Sequence, residues 1–199
     1  MISLEDVKAL YAFGCAILCL TIISPFIATL MPIQGRPIPF SELWVLDTSS
    51  GMEGYPFNVT MNVANKVHVG VGNHMGSLAY YLVYVKFRNQ TEPLPNATSG
   101  IPSPLTPVFE YLFFLPDNEK WETLMTFSFL EATEVDNRCR IDSMMINDQV
   151  FAVGKNLVWN SLNNGFFCQL FFELWFYNTT NLHFEYHNRF VGFWMNMTS

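Results

Sequence analysis

The residues able to do chemistry are few, and their spacing decides what each can do. The four histidines are His68, His74, His183 and His187. His183 and His187 have the i, i+4 spacing that seats two imidazoles on one zinc ion when the segment is helical. In an extended strand the same positions lie about 13 Å apart and cannot share an ion. The surrounding LHFEYHNRFVGFWM alternates with period two, so no metal ligand and no cofactor are expected. Glu131/Glu134 and Asp136/Asp142 raise glycoside hydrolysis or calcium binding, both of which need carboxylate oxygens converging within a few ångströms. They sit in EATEVDNRCRID (131–142), where Arg138 and Arg140 neutralise them, and the segment reads as a solvated surface loop. The chain has no G-x-S-x-G elbow, phosphate-cradling Gly-rich loop, CxxC pair or HExxH, so it is not expected to be an enzyme and no catalytic residue is assigned.

Two other residue types carry chemistry of a different kind. Asn-X-Thr sequons begin at Asn58, Asn89, Asn96, Asn178 and Asn196, each a candidate acceptor for N-linked glycan. Chance would supply about two in a chain of this composition. Of the four cysteines, Cys15 and Cys19 fall in an apolar run and read as filler. Cys139 and Cys168 are a single pair that an oxidising compartment would bridge, worth about 3–4 kcal/mol in the chain-entropy model.

These residues must be positioned by a chain of 199 residues with net charge −7, 14% charged and 16% aromatic content, and a mean hydropathy of +0.20. Ten basic residues against seventeen acidic ones leave no cationic surface for counterion release, which excludes nucleic acid as a partner. The low charged content points to burial in lipid or against another chain. Residues 9–31, ALYAFGCAILCLTIISPFIATLM, hold no charge. As a helix they would be roughly 35 Å long, enough to cross a hydrocarbon core of about 30 Å. The run is longer than a signal-peptide core and its leader is acidic, so a retained transmembrane anchor with the bilayer as partner is expected, with 1–8 as a short cytoplasmic leader. Residues 32–40 read as a Pro/Gly stalk. The sequons and the cysteine pair then place residues 41–199 outside the cytoplasm.

Beyond residue 41 the pattern is alternation broken by turn residues, which predicts strands at Glu42–Leu46, Phe57–Val63, Lys66–Val71, Leu78–Arg88, Tyr111–Leu115, Trp121–Leu130, Ile141–Ile146, Val150–Val153, Phe166–Tyr177 and Leu182–Met195. Val67, Val69 and Val71, then Ala79, Tyr81, Val83, Val85 and Phe87, then Trp121, Thr123, Met125, Phe127 and Phe129 form the expected core rows. Ten short strands suggest a mainly β antiparallel sandwich, with a small barrel as the alternative. The segment 92–107 holds five prolines and reads as a long exposed loop. Phe166, Cys168, Leu170, Phe172, Leu174 and Phe176 make one apolar row, yet Phe167, Phe171, Trp175 and Tyr177 opposite them are also large. That strand must be covered on both faces, by a loop layer, the membrane surface or a partner, so these four are the interface candidates.

The runs YPFNVT (55–60), KVHVGVGNH (66–74) and YYLVYVKF (80–87), with Trp121-Glu122, LFFELWFYN (170–178) and HNRFVGFWMNMT (187–198), resemble the carboxy-terminal module of an archaeal membrane-protein family of unknown function, domain-of-unknown-function family 1616. The resemblance implies an extracytoplasmic, immunoglobulin-like sandwich tethered by helix in a cell envelope. This chain departs from the family in having one apolar segment where members have several, and Met75 where an acidic residue is common after Asn-His. The expected function is a non-enzymatic, single-pass cell-envelope protein presenting a sandwich for protein–protein interaction or assembly of a surface complex, as homo- or hetero-oligomer. The alternative is a carbohydrate-binding module or an accessory factor of envelope glycan processing.

Overall fold

The computed structural model describes residues 4–30, 38–48, 54–135 and 138–198. They fall into two units, Met1–Ile38 and Pro39–Ser199. The first is built on α1 (Leu4–Leu30), a helix whose Ala and Leu content favours that conformation and which runs through Pro25. Among the described residues no helix is long and apolar enough to cross a membrane. Most of the expected stalk, residues 32–37, lies outside the described residues.

The second unit is mainly β: β1 (Phe40–Asp47), β2 (Asn58–Thr60), β3 (Asn65–His74), β4 (Ala79–Arg88), β5 (Phe109–Leu115), β6 (Lys120–Val135), β7 (Arg138–Ile146), β8 (Gln149–Asn160), β9 (Gly165–Asn178) and β10 (His183–Thr198). They join in one curled sheet ordered β1-β3-β6-β7-β8-β9-β10-β2, with β4 pairing β9 and β5 pairing β4. All ladders are antiparallel except β10 with β2. Only Trp159↔Phe166 and Asn160↔Gly165 pair β8 to β9, so the sheet folds there into a β1-β3-β6-β7-β8 half and a β5-β4-β9-β10-β2 half. Buried residues of both halves form a single core that includes Val67, Val69, Val71, Tyr81, Val83, Val85, Phe87, Met125, Phe127, Phe129 and the Phe166-to-Leu174 row.

Immunoglobulin domains pair their strands as A-B-E-D and C-F-G. Here β1-β3 follows A-B and β4-β9-β10 follows C-F-G, but β6, β7 and β8 run outward from β3 in chain order. In A-B-E-D the strand beside B comes later in the chain than the one outside it, so the likeness to that fold is partial.

Two segments differ from the sequence reading. The stretch expected as a surface loop is strand on both sides of residues 136–137, which lie outside the described residues: Glu131–Val135 prolong β6 and Arg138–Asp142 begin β7, with bulges near Glu131. The acidic and basic residues alternate with inward-facing Cys139 and Ile141, so period-two geometry survives a charge density that suggested solvation. The segment 92–107 holds no named strand and is exposed over 96–101, as expected of a loop, but Pro95 and Ser103 within it are buried. The β7–β8 hairpin turns on Asn147 and Asp148, both at positive φ, 46° and 65°, as a two-residue type I′ turn demands. The Asn147 amide also donates to the Tyr111 hydroxyl at 2.9 Å, tying β5 to this turn, and burial pushes that phenol up to about 12.

The β9–β10 spacing rests on Gly192, which lies opposite Phe171. A β-carbon there would meet Phe171 Cβ at 2.6 Å and the Leu170 carbonyl oxygen at 2.7 Å. Gly192→Ala is therefore expected to lower stability by about 1–3 kcal/mol, read as a lower urea midpoint with an unchanged m value. An unchanged midpoint would mean that the two strands are not this close.

Candidate functional site

The chemistry-bearing side chains gather on the outer face of the β4-β9-β10 layer. Along β9 the alternation sends Phe167, Gln169, Phe171, Glu173, Trp175 and Tyr177 away from the core, and the register sets Tyr84 opposite Glu173, Lys86 opposite Phe171 and Arg88 opposite Gln169. Glu173 is fully buried and Lys86 nearly so. Their ion pair closes at 2.8 Å, Lys86 Nζ to Glu173 Oε2. The lysine also donates to the Ser103 carbonyl at 2.7 Å, and Glu173 Oε1 accepts the Ser103 backbone N–H at 2.8 Å. The Trp175 indole N–H donates to Glu173 Oε2 at 3.2 Å. Both charges are thus paired and hydrogen-bonded, the condition under which burial of an ion pair is tolerated. The pair straps the β4–β5 connection across the sheet, reinforced by the Lys155–Glu92 ion pair and by Arg88, which donates to the carbonyls of Asn89 and Gln90.

This strap resolves the two-faced strand. Phe171 is completely buried within the chain, between Lys86 of β4 and Gly192 of β10, so it has no surface to offer a partner. Phe167 is half-buried and stacks on Trp194 at 4.9 Å, and Trp175 is half-buried with its ring tilted or edge-on to Tyr84 and Tyr186. Of the four interface candidates only Tyr177 reaches a groove. That groove, of about 700 Å³, is lined by Leu78, Tyr80, Phe114, Phe176, Tyr177 and Asn178 among others. Tyr80 stacks on Phe114 at 4.1 Å and meets Tyr177 and Phe184 at 6.0 and 5.1 Å. Leu78, Leu112 and Phe114 remain 62%, 51% and 65% exposed. Phe114 and Leu112 lie on β5, which among the described residues pairs with β4 alone. Tyr80 and Phe114 were not singled out in the sequence, because alternation marks the core row and does not say which residues of two strands meet on the opposite face.

A second cluster looks catalytic by residue type. His187 Nε2 is 2.9 Å from Ser41 Oγ, which is 2.5 Å from the Tyr81 hydroxyl. Asn73 fixes the proton order. Its Nδ2 donates to the carbonyls of Ser77 and Leu115, both at 2.8 Å, so its Oδ1 must accept, taking the Met75 N–H at 3.0 Å and the Tyr81 hydroxyl proton at 3.1 Å. Tyr81 has spent its only proton, so Ser41 donates to Tyr81 and His187 Nε2–H donates to Ser41. A nucleophilic serine requires the opposite, a histidine that accepts its proton. Ser41 is also buried. The cluster instead ties β1 to β10 at the bulge between Tyr186 and Arg189. Burial, with Arg189 nearby, holds the His187 pKa below 6.5.

The remaining histidine and carboxylate candidates do not converge. His183 pairs with Glu185 at 3.4 Å, away from the partners of His187, and no group of three or more His, Cys, Asp or Glu among the described residues is placed to hold a metal. Asp136 lies outside the described residues, while Asp142 pairs with Arg140 at 2.7 Å and Glu131 accepts from Ser143 at 3.3 Å. Cys139 on β7 and Cys168 on β9 are buried, free thiols of the one core. Burial pushes Cys139 up to about 11 and Cys168 higher still. Such thiols are poorly reactive. The five sequons are spread over β2, the β4–β5 connection and the ends of β9 and β10.

No family model and no curated relative matches the chain. Among solved structures, a chain of the complex between Zinc 2-glycoprotein and Prolactin inducible protein from human seminal plasma is similar at a TM-score of 0.39 and 7% identity, over 83% of this chain and 100% of that one. Two structures of β-glucosidase from Listeria innocua, with glucose and with gluconolactone, reach a TM-score of 0.40 at 11% and 12% identity over 81% of this chain. This chain spans 16% of the length of each. Likeness at this level assigns neither family nor function.

Two measurements check the polar chemistry. Lys86→Met should cost about 3–5 kcal/mol by leaving a buried carboxylate unpaired, and Lys86→Met with Glu173→Leu should recover much of it. Amide exchange should quicken across 89–108 in the single variant, and a slow loop there would contradict the strap. Because the folded His187 pKa lies below 6.5, the unfolded chain binds more protons, so its contribution to stability is whole above about pH 6.5 and fades as pH falls toward the folded value. Urea unfolding from about pH 7.5 to about pH 5 should show this decline, and His187→Gln should flatten it.

Proposed function

We propose that this chain is a non-enzymatic binding protein of the cell envelope, held at the bilayer by residues 9–31, with its β unit outside the cytoplasm and a protein partner seated on the Tyr80–Phe114–Tyr177 groove. The observation that carries the reading is the groove: aromatic and aliphatic side chains stay exposed beside a strand paired on one side only. Clustered apolar exposure of this kind marks contact surfaces, and a centre of aromatic residues with a polar rim is where binding energy concentrates. The anchor is supported by the uncharged run 9–31, most of which lies within α1. The resemblance to the archaeal family supports the envelope setting and the outward β unit.

The sugar-binding alternative is less well supported, since tryptophan faces that would stack on a pyranose are engaged. Trp194 carries Phe167 and Arg88, Trp121 carries Phe113 at 4.0 Å, and Trp44 carries Lys120. An accessory enzyme is disfavoured by the strapped Glu173, which is the fully buried carboxylate among the described residues and already has all its partners.

The test is purification of the full chain from its own membranes in mild detergent, beside Leu112→Glu/Phe114→Glu. The wild type should carry a stoichiometric protein partner, and the double variant should lose it by about 30-fold or more in affinity while unfolding at the same urea concentration. A monomeric wild-type particle with nothing bound, or binding indifferent to the two charges, overturns the reading.

A further inference from the structure

The five sequons are equivalent in sequence, all Asn-X-Thr, but the fold treats their amides differently. Transfer of a glycan makes the asparagine Nδ2 a nucleophile, so that nitrogen must be reachable and uncommitted, and the Asn-X-Thr stretch must stand clear of the sheet to enter an enzyme cleft.

Asn196 fails on every count. It is 1% exposed, and its Nδ2 donates to Asn58 Oδ1 at 3.2 Å and to the Asn163 carbonyl at 2.8 Å. A β-carbon on Gly165 would come within 2.3 Å of Asn196 Oδ1, so no room remains for a sugar. Asn58 is exposed, but its backbone is locked in the β2–β10 ladder and the next residue, Val59, is buried. Asn89 is half-buried and commits Nδ2 to the Asn156 carbonyl at 3.1 Å. Asn178 is half-buried and commits Nδ2 to Glu185 Oε2 at 3.0 Å.

Asn96 differs from all four. Residues 96–101 are exposed, standing out on a turn closed by reciprocal backbone hydrogen bonds between Asn96 and Ile101 at 2.8 and 3.0 Å. The Asn96 Oδ1 accepts the backbone N–H groups of Thr98 and Ser99 at 3.0 and 3.1 Å, which polarises the amide and fixes its direction. Its Nδ2 makes no hydrogen bond among the described residues.

We propose that the folded chain presents a single one of its five sequons, Asn96, to an oligosaccharyltransferase. In the step, Asn96 Nδ2 attacks the anomeric carbon of an oligosaccharide carried on a polyprenyl phosphate or pyrophosphate. The anomeric carbon–oxygen bond breaks, the lipid phosphate leaves with the electron pair, and one amide proton passes to a base of the transferase. Nothing is oxidised or reduced. Asn178, which lines the aromatic groove, stays bare, leaving that surface open to a protein. In the cell the modification rests on the outward placement proposed above.

Purified, folded full chain in detergent, incubated with the transferase and lipid-linked oligosaccharide and mapped by glycopeptide mass, tests the site independently of compartment. One glycan is expected, on Asn96, abolished by Asn96→Gln and by Thr98→Ala, the latter keeping the Asn96 turn. Urea-unfolded chain should in addition accept sugar at other sequons. A glycan on Asn58, Asn89, Asn178 or Asn196 of the folded chain, or none on Asn96 while the unfolded chain is modified, overturns the proposal. Mapping the protein from its own membranes then reads the compartment: a bare native chain whose purified form accepts sugar at Asn96 overturns the outward placement and leaves the site assignment standing.

Discussion

A strand that is apolar on both faces has to be dry on both faces, and β9 is the constraint around which the β unit is arranged. Its inner row, Phe166 to Phe176, packs into the common core. In the middle of its outer row the β4–β5 connection reaches Glu173 and Lys86 through the Ser103 backbone and is held by their ion pair. The charges do not make the protein stable by themselves, because taking them out of water costs several kcal/mol per ion. What they supply is position: one carboxylate with partners from Lys86, Ser103 and Trp175 accepts few alternative arrangements.

That arrangement separates what is closed from what is open. Where the strap lies, aromatic surface is buried within the chain. Beyond it, toward the end of β9, Tyr177 joins Tyr80 and Phe114 in a groove with Leu78 exposed nearby. The Ser41–His187 contact belongs to the closed part: its proton order follows from Asn73, and its effect is to seat the first strand of the unit against the last.

Buried polar groups were the least legible part of the sequence. Ser41, Asn73 and Glu173 are polar residue types that usually face water, and nothing in their neighbours signals that each meets a partner 8 to 146 residues away. Proline in 92–107 correctly indicated a break in regular structure, but irregular backbone is not the same as solvated backbone. The charge-rich 131–142 misled for the converse reason: strands tolerate charges on the face that looks outward, and Cys139 and Ile141 were the informative residues there.

Period two along 66–71, 79–87, 121–129 and 166–177, with turn residues between, determined from sequence that these stretches are strands and which side chains point into the core. This follows because pleating alternates side chains whatever the strands pair with. Composition likewise set the charge balance, ten basic residues against seventeen acidic ones, since charge is a sum over residues and needs no geometry. Tertiary structure decided the pairing order that departs from the immunoglobulin arrangement, the burial of Phe171, the direction of the Ser41–His187 hydrogen bond and the inequality of five identical sequons. Each of these depends on which distant backbone or side chain arrives at a given face, and alternation says nothing about what is on the other side.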